Sequence, residues 1–469
     1  MSLNEYVSLV RQVDNALVLV QSLGIATVLL LAIQFRKTSI TRAKLKAIPT
    51  VGSSGIIASW INAFSFIFHA KEIIQEGQRM HCGSAFKVTL PDRWVVIVSG
   101  PEKIDDIRKS PVEQLSSMDA NADIVQMNYT IGRSVVTDPY HIDVIRGAFT
   151  RNIAACFADV QDEIKAAFND NIPMTENWIE IPAYQTALQI ICRASNRMFV
   201  GLPLCRNHDY IKLNINHTIN AFTCAYIMNL LPTFLKPIVG FIFTPCRLAE
   251  GIYGKNWQGK PNDAIHTTAM AFTNALYALA AHLEYVETLR TEVESMIKEE
   301  GNTKAAMDRM NQLDSFLKES QRLYGDFGVF GMRRVVRKDF VFSDGTVVPA
   351  GTQVAVVSWC THLDEKNYEN PLEFKPWRFS ERRKQGGEGM RHQLSTPNLD
   401  FISFGMEDRH GTPGRFFAAN ELKALMSYIL MNFDVKIDKV PPSMWFSSEQ
   451  SPNQSSKVSF RKRTYTTND

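Results

Sequence analysis

Three short patterns follow one another in the C-terminal part of the chain. The first is Glu319-Ser320-Gln321-Arg322. A glutamate and an arginine three apart on a helix share one face and can share hydrogen bonds. The second, Pro376-Trp377-Arg378-Phe379, offers a second arginine to the same carboxylate. The third runs from Phe404-Gly405 to His410-Gly411-Thr412-Pro413-Gly414-Arg415-Phe416-Phe417-Ala418, a loop that turns into a helix at a Pro-Gly pair. Each alone is weak, since Glu/Arg pairs mostly belong to solvated faces. Their fixed order is the informative part.

The elements that must position these residues are legible in outline. Phe86 to Thr89 and Trp94 to Val98 flank Pro91-Asp92-Arg93 and read as two strands joined by a turn. From about residue 101 to 215 apolar residues recur three and four apart, the helical period. Residues 219–243 are apolar but carry Pro232, Lys236 and Pro237, which favours two short helices over a membrane span. Residues 252–263 read as a loop, and a helix starts sharply at Ala264, with Thr267, Thr268, Ala271 and Ala275 in helical spacing. Residues 308–324 carry the next helix, with the stripe Leu313, Phe316, Leu317 and Leu323. The period then changes to two. Phe340 to Phe342 and Thr346 to Val348 flank Ser343-Asp344-Gly345, a hairpin, and Gln353 to Val357 reads as a third strand of that small sheet. The last helix follows Pro413-Gly414, with Ala418, Leu422, Leu425 and Ile429 on one stripe. The fold class is mainly α with a small β-sheet.

The balance of 51 basic and 48 acidic residues, net +3, argues against a nucleic-acid partner. The seven cysteines form no CxxC pair, which excludes a zinc ribbon or redox dithiol, and they read as free thiols in a reducing compartment. The last is Cys360. Residues 15–35 carry no charged side chain and, at ~1.5 Å per residue, are long enough to cross a bilayer core. Arg36, Lys37, Arg42, Lys44 and Lys46 follow, against Arg11 alone before, so residues 1–46 read as a retained membrane anchor and basic linker with the bulk of the chain cytosolic. In that compartment the sequons at Asn128, Asn216 and Asn453 are chance matches. Ile48-Pro49-Thr50-Val51-Gly52 is a stiff turn between anchor and globule.

With these residues in view, the chain resembles the cytochrome P450 family of haem-thiolate monooxygenases, and most closely the fungal members that oxidise terpenoids and other secondary metabolites. The resemblance runs from the anchor to the last helix. It implies a cytochrome P450 fold with an N-terminal transmembrane helix, and a haem domain over residues 47–469. Glu319, Arg322 and Arg378 match the family's structural triad. Arg334, Arg146 and His410 match partners of the haem propionates. Thr267 matches the oxygen-activating threonine of the central helix, and His266 stands where the family more often has an acid. The resemblance further implies haem as cofactor, no other metal, an NADPH-cytochrome P450 reductase-type electron donor and an apolar small-molecule substrate. It also implies a single pass in the endoplasmic reticulum membrane.

Two departures stand beside the match. The position that holds the thiolate cysteine in the family is Thr412, in a loop lengthened by Met406-Glu407-Asp408-Arg409. A threonine hydroxyl stays protonated near neutral pH and is a poor ligand for a soft metal site. In addition, Gly259-Lys260-Pro261-Asn262-Asp263 stands directly before Ala264, where the family has further helical turns, so the domain looks truncated near 259–264. Three readings account for the departures: a chain mis-joined from its exons, a catalytically inactive relative, or a protein using another ligand such as His410, which would forgo the electron push of a thiolate.

Overall fold

The computed structural model describes residues 18, 21–22, 24–30, 32–33, 35–36, 39–52, 55–132, 134–231, 233, 235–242, 264–325, 328–385, 388–406 and 411–464. The described part of the N-terminal stretch is helical and exposes Ile25, Val28, Leu29 and Ile33. Among the described residues no helix is long and apolar enough to cross a membrane. The segment 252–263 lies outside the described residues.

The larger body is helical. Helices α3 (Thr150–Asn171) and α4 (Ala183–Phe199) pack on each other, and α4 packs on α6 (Ala264–Ala281); α5 (His208–Asn229) joins this group. Against α6 lie α8 (Asn311–Tyr324) and α10 (Arg415–Asn432), with α7 (Val286–Glu300) packed on α10. Phe157, Phe168, Ile191, Phe272, Leu276, Phe316, Leu422 and Leu425 form one continuous core across these helices. Helix α6 is buried on nearly every side between Ala269 and Ala280, the pattern of a central helix. Its polar groups are satisfied inside: Thr273 Oγ1 donates to Ala269 O at 2.7 Å, and Tyr277 Oη donates to Asn453 O at 2.6 Å.

The smaller body is a five-stranded sheet. Strands β1 (Phe86–Thr89) and β2 (Trp94–Val98) form the hairpin expected from sequence. Next to β2, in parallel, runs β6 (Gln353–Val357), then β5 (Phe330–Val336) and the short β3 (Leu115–Ser116). Strand β6 therefore leaves the Phe340–Val341/Val347–Val348 hairpin and completes the larger sheet, which corrects the local reading. The reason is burial: all five of its residues are buried, which a two-stranded ribbon cannot provide. Helix α1 (Ile56–Met80) covers one face of the sheet, where Phe66, Ala70 and Ile74 meet Phe86, Val95 and Ile97. A second sheet joins β4 (Ile179–Pro182), β8 (Lys457–Lys462) and β7 (Phe433–Lys436). The expected helix over 308–324 is broken at Met310 (ψ 83°), which leaves a short turn at Lys304–Arg309 before α8.

Helix α10 carries buried polar groups toward two neighbours. Lys423 Nζ reaches Asp314 Oδ1 at 2.9 Å and Met307 O at 2.8 Å. Glu421 accepts from Ser195 Oγ on α4 at 2.7 Å and has no cation paired with it among the described residues, so burial raises its carboxyl to about 8. Such a group is neutral in both states at low pH. As pH rises the unfolded chain ionises first, so its contribution to stability falls between about pH 4 and 8. Glu421→Gln keeps the shape and removes the titration. The variant should be more stable than the parent by roughly 1–3 kcal/mol at pH 8 and equal to it near pH 4. Denaturant melts at the two pH values check this, and a parallel pair of curves would refute it.

Candidate functional site

One carboxylate ties the two bodies together. Arg322 donates to Glu319 through Nε (2.7 Å to Oε2) and Nη2 (2.8 Å to Oε1), a two-pronged pair along one turn of α8. Arg378, at the start of α9 (Arg378–Arg383), places Nε at 3.1 and 3.2 Å from the two oxygens, and Lys375 N donates to Oε1 at 3.0 Å. The excess positive charge meets carbonyls: Arg322 Nη1 donates to His362 O and Pro371 O, and Arg378 Nη1 to Glu369 O. The Tyr368 ring lies under three guanidiniums, those of Arg322 (4.8 Å), Arg378 (5.6 Å) and Arg382 (5.0 Å). Glu319, Arg322, Arg378 and Tyr368 are buried, so each of these charges is held where removal of its partner would be costly.

Two further buried groups extend the arrangement, and sequence reasoning missed both. Lys318 Nζ donates to Gln393 O (2.8 Å) and Thr396 O (3.1 Å) between the rings of Phe379 and Phe401. Burial lowers its ammonium to about 7. His362 accepts from Ile402 N at 3.0 Å, and burial, with Arg322 and Lys318 nearby, lowers its imidazole to about 3. These two side chains pin residues 393–402, which feed directly into the loop of the third sequence pattern. The only signal for them was the placement of Lys318 between the stripe residue Leu317 and Glu319.

That loop is built for an abrupt entry into a helix. Gly405 has φ 77° and Gly414 φ 84°, both in the left-handed region that glycine tolerates. Thr412 N donates to Phe404 O at 2.8 Å, which closes the loop, and α10 starts at Arg415 with Gly414 as N-cap. Thr412 is exposed. His410, Arg409, Asp408 and Glu407 lie outside the described residues. Arg146 comes to the same loop and donates from Nη2 to Gly411 O at 3.2 Å. It sits in a single π-helical turn, Ile145–Phe149, where Thr150 Oγ1 caps Ile145 O at 2.6 Å. Such wide turns redirect side chains inside a helix. Phe149 stacks on Phe199 (4.9 Å) and meets Phe417 edge-on (5.3 Å), so the turn and α10 are packed as a unit.

Arg334 reaches its place by strand register. Met332, Arg334 and Val336 are buried at a period of two along β5, Met332 and Val336 in the cluster of Val354 and Val356, whereas Phe330 packs against Phe66 on the other face of the sheet, and Arg334 is 3% exposed where an apolar residue would be expected. The pairing with β6 shifts between Gly331 and Arg334, at a bulge where Met332 adopts φ 45°. Nη1 donates to Arg333 O at 2.9 Å, while Nε and Nη2 are buried without a partner among the described residues. Burial lowers this guanidinium to about 10. Two bare donors on a buried cation form a receptor for an anion.

On α6, Thr267 is exposed and His266 turns elsewhere. The His266 ring places Nε2 2.9 Å from Ile215 O and Nδ1 3.3 Å from Tyr184 Oη, so it bridges α5 and α4. The structure thus brings together Glu319, Arg322 and Arg378, and Arg146 with the loop of Thr412, while His266 faces other helices. A separate cavity of about 170 Å³ is lined by Phe66, Leu90, Phe222, Tyr226 and Leu230, with the Arg93–Asp92 pair (2.6 Å) on its polar side.

Comparison with known proteins supplies a frame for this geometry. The cytochrome P450 family model matches residues 262–460. Cytochrome P450 monooxygenases 151 and 103 of Postia placenta are 40% and 39% identical to this chain, each alignment covering 89% of it and 94% of the relative. Cytochrome P450 monooxygenase CYP512U6 of Ganoderma lucidum is 29% identical, over 84% of this chain and 86% of its own. Among solved structures, retinoic acid-bound cyanobacterial CYP120A1 superposes with a TM-score of 0.63 over 89% of this chain and 98% of its own, at 16% identity, a likeness of fold.

The charge network makes a direct prediction. Arg322→Ala leaves Glu319 buried with a partner lost and several carbonyls unpaired, and should destabilise the protein by about 3–5 kcal/mol. Arg322→Lys should recover little, since an ammonium cannot serve both carboxylate oxygens in plane. Soluble yield and a urea melt of the two variants check this; a fully stable Arg322→Ala protein would remove Glu319 as the organising charge.

Proposed function

Because this chain belongs to the cytochrome P450 family, whose cofactor is haem iron, we propose that its scaffold serves hydroxylation of an apolar small molecule and that Thr412 withholds that chemistry from the chain as it stands. Family membership makes it a P450-type oxidoreductase with the mainly helical P450 fold. The residues fit one end of a haem and not the other. The bare Nε and Nη2 of Arg334 suit a propionate, and Arg146 and His410 are the further partners in this reading. At the iron the donor set fails, because the last cysteine of the chain is Cys360 and the loop presents a hydroxyl at 412. In the family the bound group supplies oxygen activation pushed by a thiolate; no part of that push is available from a neutral threonine.

The substrate in this reading is a terpenoid or other secondary metabolite, oxidised with O₂ and electrons from an NADPH-cytochrome P450 reductase-type donor. The aromatic lining of the cavity around Phe222 and Tyr226 supports an apolar ligand. The charge-free residues 15–35, and Ile61, Phe64 and Phe68 exposed on one face of α1, support attachment to the endoplasmic reticulum membrane through a single pass, with residues 47–469 cytosolic. Thr267 would offer a hydroxyl on the central helix as a proton carrier, and His266 holds that helix to α4 and α5.

The observation that carries the reading is Thr412 beside the joined Glu319, Arg322 and Arg378. The test is to express the full chain and its Thr412→Cys variant in membranes, supply haem, reduce, and record the carbon monoxide difference spectrum. The variant should show the red-shifted band of thiolate ligation and consume NADPH with a reductase and an apolar substrate. The parent should show neither. A parent with the thiolate band, or a folded, haem-loaded variant without it, would overturn the proposal.

A further inference from the structure

One histidine outside the three sequence patterns carries a line of hydrogen bonds from the buried charges to residue 412. His362 ends a short helix, Ser358–His362, that continues strand β6, and it is 1% exposed. Its carbonyl accepts from Arg322 Nη1 at 2.7 Å, and its ring accepts from Ile402 N at 3.0 Å. The main chain at 362 is thus fixed to the Glu319–Arg322 pair, and the side chain hands that position to a second segment. From Ile402 the line continues through backbone. Ile402 O accepts from Gly405 N at 2.9 Å, and Phe404 O accepts from Thr412 N at 2.8 Å. Phe404 O and Gly405 N belong to one planar trans peptide unit, so holding its N–H sets the direction of its C=O.

Apolar contacts alone leave that direction open. Ile402 belongs to the cluster of Val354 and Val356 on β6 and of Ile104 and Ile107 on α2 (Pro101–Lys109), and Phe401 stacks on the His362 ring at 5.2 Å. Packing of this kind is non-directional and sets how deep the segment lies. A hydrogen bond to the amide of Ile402 also sets how its peptide is turned. The acceptor must be neutral. An amide N–H donates, so Nε2 is the bare nitrogen of the ring and the proton sits on Nδ1. Burial, with Arg322 and Lys318 nearby, lowers the imidazole to about 3 and keeps it in that form. A carboxylate in its place would draw Arg322 away from Glu319, and Lys318 away from the carbonyls of Gln393 and Thr396.

We propose that His362 is the positioning residue of the loop before α10: through Nε2 it holds the turn at Ile402–Gly405 in the one rotation that aims the Phe404 carbonyl at the amide of residue 412. Its part is distinct from that of Lys318, which holds Gln393 and Thr396 further upstream. The side chain at 412 plays no part in the link, since the last bond is to the backbone of that residue. Only the haem-facing character of this loop rests on the reading above; the link itself belongs to the chain without haem.

The test uses the full chain in detergent, without added haem. Hydrogen exchange at single amides is followed by mass spectrometry with electron-transfer fragmentation in the parent, His362→Leu and His362→Gln. Leucine accepts no hydrogen bond, whereas the glutamine Oε1 can take the place of Nε2. In His362→Leu the amides of Ile402, Gly405 and Thr412 should exchange at least about tenfold faster, while those of α8 keep the parent's rates. In His362→Gln the three should return to within about threefold of the parent. A ring that merely filled space would be replaced as well by leucine as by glutamine. Selective nitrogen-15 labelling of histidine adds a check that does not depend on the leucine variant folding. The resonances lost in His362→Gln should belong, in the parent, to a ring with a bare Nε2 that does not titrate between about pH 5 and 8. The proposal fails if the three amides keep their rates in His362→Leu, if α8 loosens by the same factor, if glutamine restores nothing, or if that ring titrates in this range. A Thr412→Cys protein without the thiolate band would overturn the haem reading and leave these rates unchanged.

Discussion

The carboxylate of Glu319 is the charge on which the arrangement depends. It lies in the core with two guanidiniums upon it, and every remaining donor of those guanidiniums is spent on a carbonyl between residues 362 and 373. A buried ion group of this kind contributes little net stability, because desolvation consumes the attraction. What it provides is a fixed geometry: helix α8, the 362–378 segment and α9 have one low-energy way to meet. Lys318 and His362 then pass that position on to residues 393–402, and through them to the loop before α10. The loop before α10 is thus located by a network that, among the described residues, makes no hydrogen bond to Phe404–Gly414.

Thr412 changes the meaning of this precision. The loop closes, the glycines take their left-handed conformations, and Arg146 arrives at Gly411, all with a threonine at 412. These features rest on hydrogen bonds to backbone carbonyls and on the packing of Phe149 with Phe417 rather than on the side chain at 412. Arg334 is the contrasting case: its buried Nε and Nη2 have no partner among the described residues, a costly feature that an anionic occupant would relieve.

Local patterns were readable wherever neighbours in sequence are neighbours in space. The strands Phe86–Thr89 and Trp94–Val98, the Pro-Gly entry into α10 and the stripe of α8 follow from short-range periodicity. Strand β5 did not announce itself, because Gly331, Arg333 and Arg334 hide its alternation and its partner β6 lies 20 residues away in sequence. The break at Met310 and the π-turn at Arg146 are tertiary effects with no compositional mark. Lys318 and His362 look in sequence like any surface lysine and histidine; only burial distinguishes them.

The bulge in β5 has an evolutionary consequence. Side chains on a strand alternate with a period of two, so the extra residue near Met332 sets the parity of everything after it. Deleting the extra residue itself would leave Arg334 opposite Val354, whereas deleting one between Arg334 and Val336 would turn the buried Val336 to the other face. Point changes in this strand can drift one at a time, but a single-codon insertion or deletion is a frame error written in space rather than in the message. The Phe340–Val348 hairpin just beyond it, whose Val341 and Val347 are exposed, carries no such constraint. Length variation among descendants of this chain should therefore collect in the hairpin and stop short of the strand.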